Sequence, residues 1–390
     1  TMNNSYPLAS TTWDMSEIEA IKNVISSGNY SMGKYVKLFE EKFSKVFGSK
    51  YSIMVNSGSS ANLLAIASLF YRKRNPLKRG DEVIVPAVSW STTYSPLQQY
   101  GLKLKFVDID LETLNYDLTS LKSAVTNKTK LIVVVNLLGN PNDFKVIKEI
   151  ILDKNIDIVE DNCESMGAEY ELKKTGTIGT IGTFSSFFSH HISTMEGGII
   201  CTDDRELYDI ILSLRAHGWT RNLDDDNSIC NKTKDNFTES FRFILPGYNL
   251  RPLEFSGAIG LEQIKKLPEF VKQRKKNHDV FKKLFKNDDR FIIQKEIGSS
   301  SWFGFSLILD NNLIKRSDIF KILEKNNIDF RPIVSGNFSK SESLKYYNYE
   351  IHGEMKNAEY IDSNGFFIGN HHYDLTEQIK YLHKTLNNLK

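Results

Sequence analysis

Gly182-Thr183-Phe184-Ser185-Ser186-Phe187-Phe188-Ser189-His190-His191-Ile192-Ser193-Thr194-Met195-Glu196-Gly197-Gly198 is the stretch from which the fold can be read. A short apolar segment runs into two adjacent histidines, a Glu-Gly-Gly turn follows, and Ile199-Ile200-Cys201 leads back. This pattern predicts a β-hairpin with a long polar turn. Taken alone, His190 and His191 need no function, since loop histidines commonly only make hydrogen bonds.

Just upstream, an apolar strand at 156–159 ends in Glu160-Asp161-Asn162-Cys163-Glu164-Ser165. Acidic residues past the C-terminal end of a parallel strand stand on the ligand-binding edge of an α/β sheet. Asp161 could equally be a simple helix cap. Further out, a strand at 51–55 feeds Asn56-Ser57-Gly58-Ser59-Ser60 and then a helix at 61–70. Free backbone N–H groups and hydroxyls at such a helix start suit a phosphate, although serine there often only caps. Trp90 follows the apolar strand 82–86 and is either core or a plate for a flat ring.

Strands at 104–107 and 131–135 alternate with helices at 118–125 and 143–152. Asp14 and Glu17 form a capping box for a helix that ends at Gly28, and a second helix at 35–47 stops at Gly48. After the hairpin come a helix at 206–214, the polar insertion 222–236, and Gly247-Tyr248-Asn249-Leu250-Arg251 ahead of a long helix. Such alternation predicts an α/β fold with a mostly parallel sheet in a large domain, 1–266. A rise in charge density then marks a smaller α+β domain, 267–390, read as a helix at 266–285, a strand at 301–309, a helix at 315–326 and a strand at 329–333.

The 390 residues include 50 basic and 48 acidic ones, for a net charge of +2, with no basic stripe to bind nucleic acid. No apolar run approaches the roughly 18 residues of a membrane span. Cys163, Cys201 and Cys230 are too few and too scattered for a disulfide framework. The first six residues lack a basic-then-apolar export layout, so a cytoplasmic protein is expected.

Six motifs in order resemble the nucleotide-sugar aminotransferase and dehydratase family, pyridoxal-phosphate enzymes of the aspartate-aminotransferase fold. They are Met32-Gly33, the 56–62 turn, Trp90, Glu160-Asp161, the hairpin and Gly247–Arg251, with a last match near Gly365-Phe366-Phe367-Ile368. In that family the hairpin carries a Schiff-base lysine, whose position is filled here by His190. The resemblance implies that Gly58, Ser59 and Ser185 hold the cofactor phosphate. It implies that Trp90 stacks on the ring, Asp161 pairs with the pyridine nitrogen, and Glu164 takes the position where aminotransferases often have glutamine. Asn249 would reach the phosphate in the other subunit of a homodimer.

Within the family, Ser-His-His and the Asp-x-Cys-Glu-Ser run resemble the branch that dehydrates GDP-linked 4-keto-6-deoxy sugars, hexose or heptose, at C3. The implied cofactor is non-covalent pyridoxal or pyridoxamine phosphate, with L-glutamate as amino donor and 2-oxoglutarate and ammonia as by-products. His190 is then the acid–base group, since imidazole can take a proton and return it near neutrality. Met32, His217, Arg221, Arg251 and Arg331 are candidate substrate-binding residues, and Arg215 is a further arginine that could meet a carboxylate or diphosphate. No metal site is expected, because three dispersed cysteines do not suit the roughly four thiolates of an iron–sulfur cluster. The alternatives are a lysine-less ligand sensor and a CDP-sugar 3-dehydratase-like enzyme without the cluster.

Overall fold

The computed structural model describes residues 5–310 and 314–389, so the first four residues of the stretch read for an export signal lie outside it. In chain order, helices α1 (Met15–Ser27) and α2 (Lys34–Phe47) precede strand β1 (Tyr51–Val55) and helix α3 (Gly58–Tyr71). Then come β2 (Glu82–Pro86), α4 (Ser91–Gln99), β3 (Lys103–Val107), α5 (Leu118–Ala124), β4 (Thr129–Val135), α6 (Phe144–Ile150) and β5 (Asp157–Asp161). A small hairpin, β6 (Glu169–Tyr170) and β7 (Lys173–Lys174), leads to the larger one, β8 (Ile181–Ser185) and β9 (Gly198–Thr202). Helices α7 (Arg205–Arg215), α8 (Asn236–Ser240) and α9 (Glu254–Phe285) follow. The C-terminal part holds β10 (Phe291–Ile293), β11 (Gly304–Leu309), α10 (Arg316–Lys325), β12 (Tyr349–Ile351), α11 (Lys356–Asn364), β13 (Gly365–Gly369) and α12 (Thr376–Leu386).

Eight strands form one sheet in the order β1-β9-β8-β5-β4-β2-β3-β12. All pairings are parallel except those of β9, which runs antiparallel to β1 and β8. The strands read as near-continuous apolar runs because both faces are covered. In β4, Leu131, Val133 and Val135 join the core on one face, and Ile132 and Val134 join the core on the other. A second sheet, β10-β11-β13, packs with Tyr6, the end of α9, and the helices α10 and α12 around a separate apolar cluster.

Three expectations are corrected. The helix expected at 266–285 is the second half of α9, which runs 32 residues through Pro268. A change in charge does not break a backbone, and Ile264, Leu267 and Val271 keep one buried face going across the proposed domain boundary. Residues 329–333 make no strand. Arg331 bridges Phe367 and Ile328 bridges Tyr6, so this segment divides its hydrogen bonds between two partners and builds no ladder with either. The strand expected from 301 starts at Gly304, because Trp302 turns to φ 42° where it packs on Gly139. A Cβ on Gly139 would lie 2.4 Å from the Trp302 nitrogen, which fixes glycine at that contact. Although β12 lies far along the chain, it extends the large sheet beside β3.

Candidate active site

The C-terminal ends of β5 and β8 and the N-terminus of α3 face a cavity of about 300 Å³. Ser57 caps α3, its hydroxyl accepting from the Ser60 N–H at 3.0 Å. Gly58, Ser59 and Ser185 line the cavity beside it. A Cβ on Gly58 would lie 2.7 Å from the Ser185 Cβ and 3.0 Å from the Cys163 sulfur, so only glycine leaves this cradle open. Ser59 and Thr92 share a hydroxyl hydrogen bond of 2.8 Å across the same wall.

Asp161 closes β5 with its carboxylate fixed on both oxygens. Oδ2 accepts from Thr93 at 2.6 Å and from the Asn62 amide at 3.0 Å, and Oδ1 accepts from the Cys163 N–H at 3.2 Å. Asn62 is held in turn by the Thr183 hydroxyl at 2.6 Å. Trp90, at the start of α4, is 59% exposed and lines the cavity. A fixed carboxylate, an open Ser-Gly-Ser helix start and a flat indole suit a phosphorylated pyridine ring.

His190 lies in the 186–197 hairpin loop, against Phe303 at 5.2 Å between ring centroids. Burial, and then the positive charges of Arg331 and Arg274, push its imidazolium down to about 3, so at neutral pH it is an uncharged base. Its neighbour His191 is fully buried outside the cavity lining and donates from Nε2 to the Ser301 carbonyl at 2.9 Å. Burial also holds His191 well below the usual histidine range. No lysine lines the cavity among the described residues. Arg331 and Glu164 complete one wall, with 3.8 Å between their charged atoms. Burial drives Glu164 up to about 7 despite the opposing pull of Arg331.

Of the residues singled out from the sequence, His190, Gly58, Ser59, Trp90, Asp161, Glu164, Ser185 and Arg331 meet in this cavity. Met32, His217, Arg221, Asn249 and Arg251 do not line it. Met32 packs against the core cluster of α2 and α9. The others gather around Trp219, with the Arg221 guanidinium 3.9 Å and the Arg251 guanidinium 5.6 Å from its ring and the His217 ring at 5.0 Å. Asn249 is exposed there and accepts from Arg251 Nε at 3.0 Å. Arg215 is buried and bonds Glu40 at 2.8 Å and the Met54 carbonyl at 2.9 Å, so it serves the core and not a ligand. Sequence reasoning missed Asn62, Thr93 and Phe303. Asn62 stood within a quoted motif, whereas Phe303 carried no local signal.

The parallel sheet with its antiparallel β9, the crossing hairpin and the cavity at the strand ends define an enzyme of the aminotransferase fold. The chain belongs to the DegT/DnrJ/EryC1/StrS aminotransferase family, whose profile matches residues 12–387. It is 60% identical over 385 residues to the GDP-4-keto-6-deoxy-D-mannose 3-dehydratase of Yersinia pseudotuberculosis, the match covering 98% of each chain. It is similar to a solved Escherichia coli GDP-4-keto-6-deoxy-D-mannose-3-dehydratase with bound hydrated PLP. That match has a TM-score of 0.97 and 56% identity and covers 98% of this chain and 99% of that one. A structure of GDP-4-keto-6-deoxymannose-3-dehydratase with a trapped PLP–glutamate geminal diamine matches at TM-score 0.97 and 56% identity, covering 98% of this chain and all (100%) of that one.

Proposed function

We propose that the protein removes the C3 hydroxyl of a GDP-linked 4-keto-6-deoxy sugar, using pyridoxal and pyridoxamine phosphate with glutamate as amino donor. The carrying observation is that His190 lines a cavity whose described lining contains no lysine, and the family resemblance puts His190 at the lysine's position. Matches at 56–60% identity to chains named for this reaction support the reading. The bound cofactor supplies an amino group and an electron sink, which make a hydroxyl next to the sugar's carbonyl able to leave.

The protein's own residues do the rest. The N–H groups and hydroxyls of Ser57-Gly58-Ser59, with Ser185, bind a phosphate at the start of α3. Asp161, held by Asn62 and Thr93, would face the pyridine nitrogen and keep it protonated. Trp90 covers the ring. His190, uncharged when the site is free, would take onto its imidazole the proton of the C–H bond that breaks and would hand it to the C3 hydroxyl, which leaves as water. Phe303 packs against the imidazole and limits water at that step. No lysine among the described lining residues is placed to hold the cofactor covalently, so Gly58, Ser59, Ser185, Trp90 and Asp161 would hold it non-covalently.

The cluster of Asn249, Arg251, Arg221 and His217 around Trp219 serves the cavity of a second subunit in a homodimer. Exposed Phe241, Phe243 and Leu253 nearby support this placement. A cytoplasmic location fits three free cysteines. In the described residues no helix is long and apolar enough to cross a membrane. Protein loaded with pyridoxal phosphate is given glutamate and GDP-4-keto-6-deoxymannose, and the nucleotide sugar is weighed by mass spectrometry. A product lighter by one oxygen atom is expected. Unchanged sugar, with cofactor shown to be bound, would refute the reading.

A further inference from the structure

Arg331 is the single lysine or arginine among the described residues lining the cavity. Its guanidinium is fixed over two aromatic faces, 4.5 Å from the Phe367 centroid and 5.6 Å from that of Phe303. Its Nε is buried and finds no acceptor. The nearest carboxylate, Glu164, stands 3.8 Å off. A charge-assisted hydrogen bond closes to about 2.7–2.9 Å, so this pair is loose. Glu164 has little else, since its other oxygen accepts only from the Leu138 N–H, at 3.4 Å. Two opposite charges are thus held face to face in a ligand cavity, each short of partners.

We propose that Arg331 and Glu164 form a proton-coupled anion subsite. Arg331 takes a carboxylate of the amino donor, and Glu164, deprived of its cation, takes up a proton from solvent. The proposal rests on the glutamate-dependent reading above and names the residues of its donor half.

The surroundings of Glu164 make the coupling follow. Asp161, at the end of β5 three residues before Glu164, adds a second negative charge close by. The hairpin contributes His190, which is uncharged at neutral pH. The 137–139 turn offers one backbone N–H, and the segment before β11 offers the apolar ring of Phe303. Once an anion occupies Arg331, the one cation that acts on Glu164 among the described residues is neutralised, and the anion adds to the repulsion. Glu164 already sits up at about 7 with Arg331 beside it, and losing that help moves it further up. Donor binding and protonation are then linked: the carboxylate binds more weakly as pH rises through 7. The donor-bound site gains a neutral acid in the cavity that His190 lines, which a glutamine at this position could not supply.

The test is calorimetric titration of glutarate, a donor-shaped dicarboxylate without an amino group, into the cofactor-loaded enzyme in two buffers of different ionisation heat. Wild type should take up almost no proton at about pH 6 and close to one at about pH 8, with Kd rising by up to about tenfold per pH unit above neutrality. Glu164→Gln should bind glutarate with no linked uptake and a flat pH profile. Arg331→Met should weaken glutarate at least about tenfold. His190→Asn should keep the uptake, which separates the two titratable groups. Absence of glutarate binding to wild type, equal uptake in Glu164→Gln, loss of uptake in His190→Asn, or unchanged affinity in Arg331→Met would each overturn the subsite. The titration contains no sugar, so its failure leaves the dehydration reading to the oxygen-loss assay.

Discussion

His190→Asn keeps the size and some hydrogen bonding of the side chain but cannot carry a proton at neutral pH. It should bind cofactor normally and lose turnover by roughly two to four orders of magnitude, the usual weight of a positioned acid–base group. His191→Asn should act through stability instead, because His191 is sealed in the core against the Ser301 carbonyl. Stopped-flow turnover beside thermal melts separates the two effects. Glu164 predicts a pH effect on the free protein as well. Its carboxyl is raised from an ordinary value of about 4.3 to about 7, so the fold prefers the neutral form. That preference is fully present below the unfolded pKa and is lost as pH rises through 7. Wild type should therefore lose on the order of 2 kcal/mol relative to Glu164→Gln between about pH 5 and pH 8. A constant stability difference between the two would contradict this. At this scale the sequence was legible wherever a strand or helix end fixed a side chain, as at Asp161 and Gly58. The Arg331–Glu164 pair was hidden by its separation along the chain, and nothing local distinguished Arg331 from the buried Arg215.

At the scale of elements, one carboxylate ties two helices together. Glu254, at the start of α9, accepts from the Gly33 and Val36 N–H groups at 3.0 Å each and from the Tyr35 N–H at 3.1 Å. Gly33 supplies no side-chain cap for α2, so Glu254 satisfies that helix start from outside. A Cβ on Gly33 would come within 2.7 Å of the Glu254 carboxylate, which gives Met32-Gly33 a structural reason. Glu254→Ala should destabilise the protein by about 1–3 kcal/mol, measured by urea unfolding. Asn62→Leu should leave the fold intact and weaken cofactor roughly tenfold or more, because Asp161 loses one of its two side-chain donors. Fluorescence titration of pyridoxal phosphate checks it. The strands of the large sheet were legible because their apolar runs are continuous and both faces are buried. Residues 329–333 were misread because a β-rich composition does not reveal that hydrogen bonds go to two different neighbours. The unity of α9 was missed because the apolar face carries through Pro268 while the surface charge changes.

At the scale of the whole molecule, part of the predicted site lies outside the chain's own cavity. Asn249, Arg251, Arg221 and His217 surround Trp219 on an exposed face, with the Arg221 guanidinium also 4.9 Å from the Phe241 ring. If this face completes a second subunit's site, mixing an inactive Asn249→Ala variant with inactive His190→Asn should restore activity through hybrid dimers. Subunit exchange without rescue would count against a shared site. Under the proposed function, histidine in the lysine's place turns an amino-transferring fold to deoxygenation. The fate of the donor nitrogen tests it most directly. With 15N-glutamate and GDP-4-keto-6-deoxymannose, the label should appear as free ammonium, matched one for one by 2-oxoglutarate and by a 3-deoxy sugar. Label retained on the nucleotide sugar as a stable amine would contradict the account.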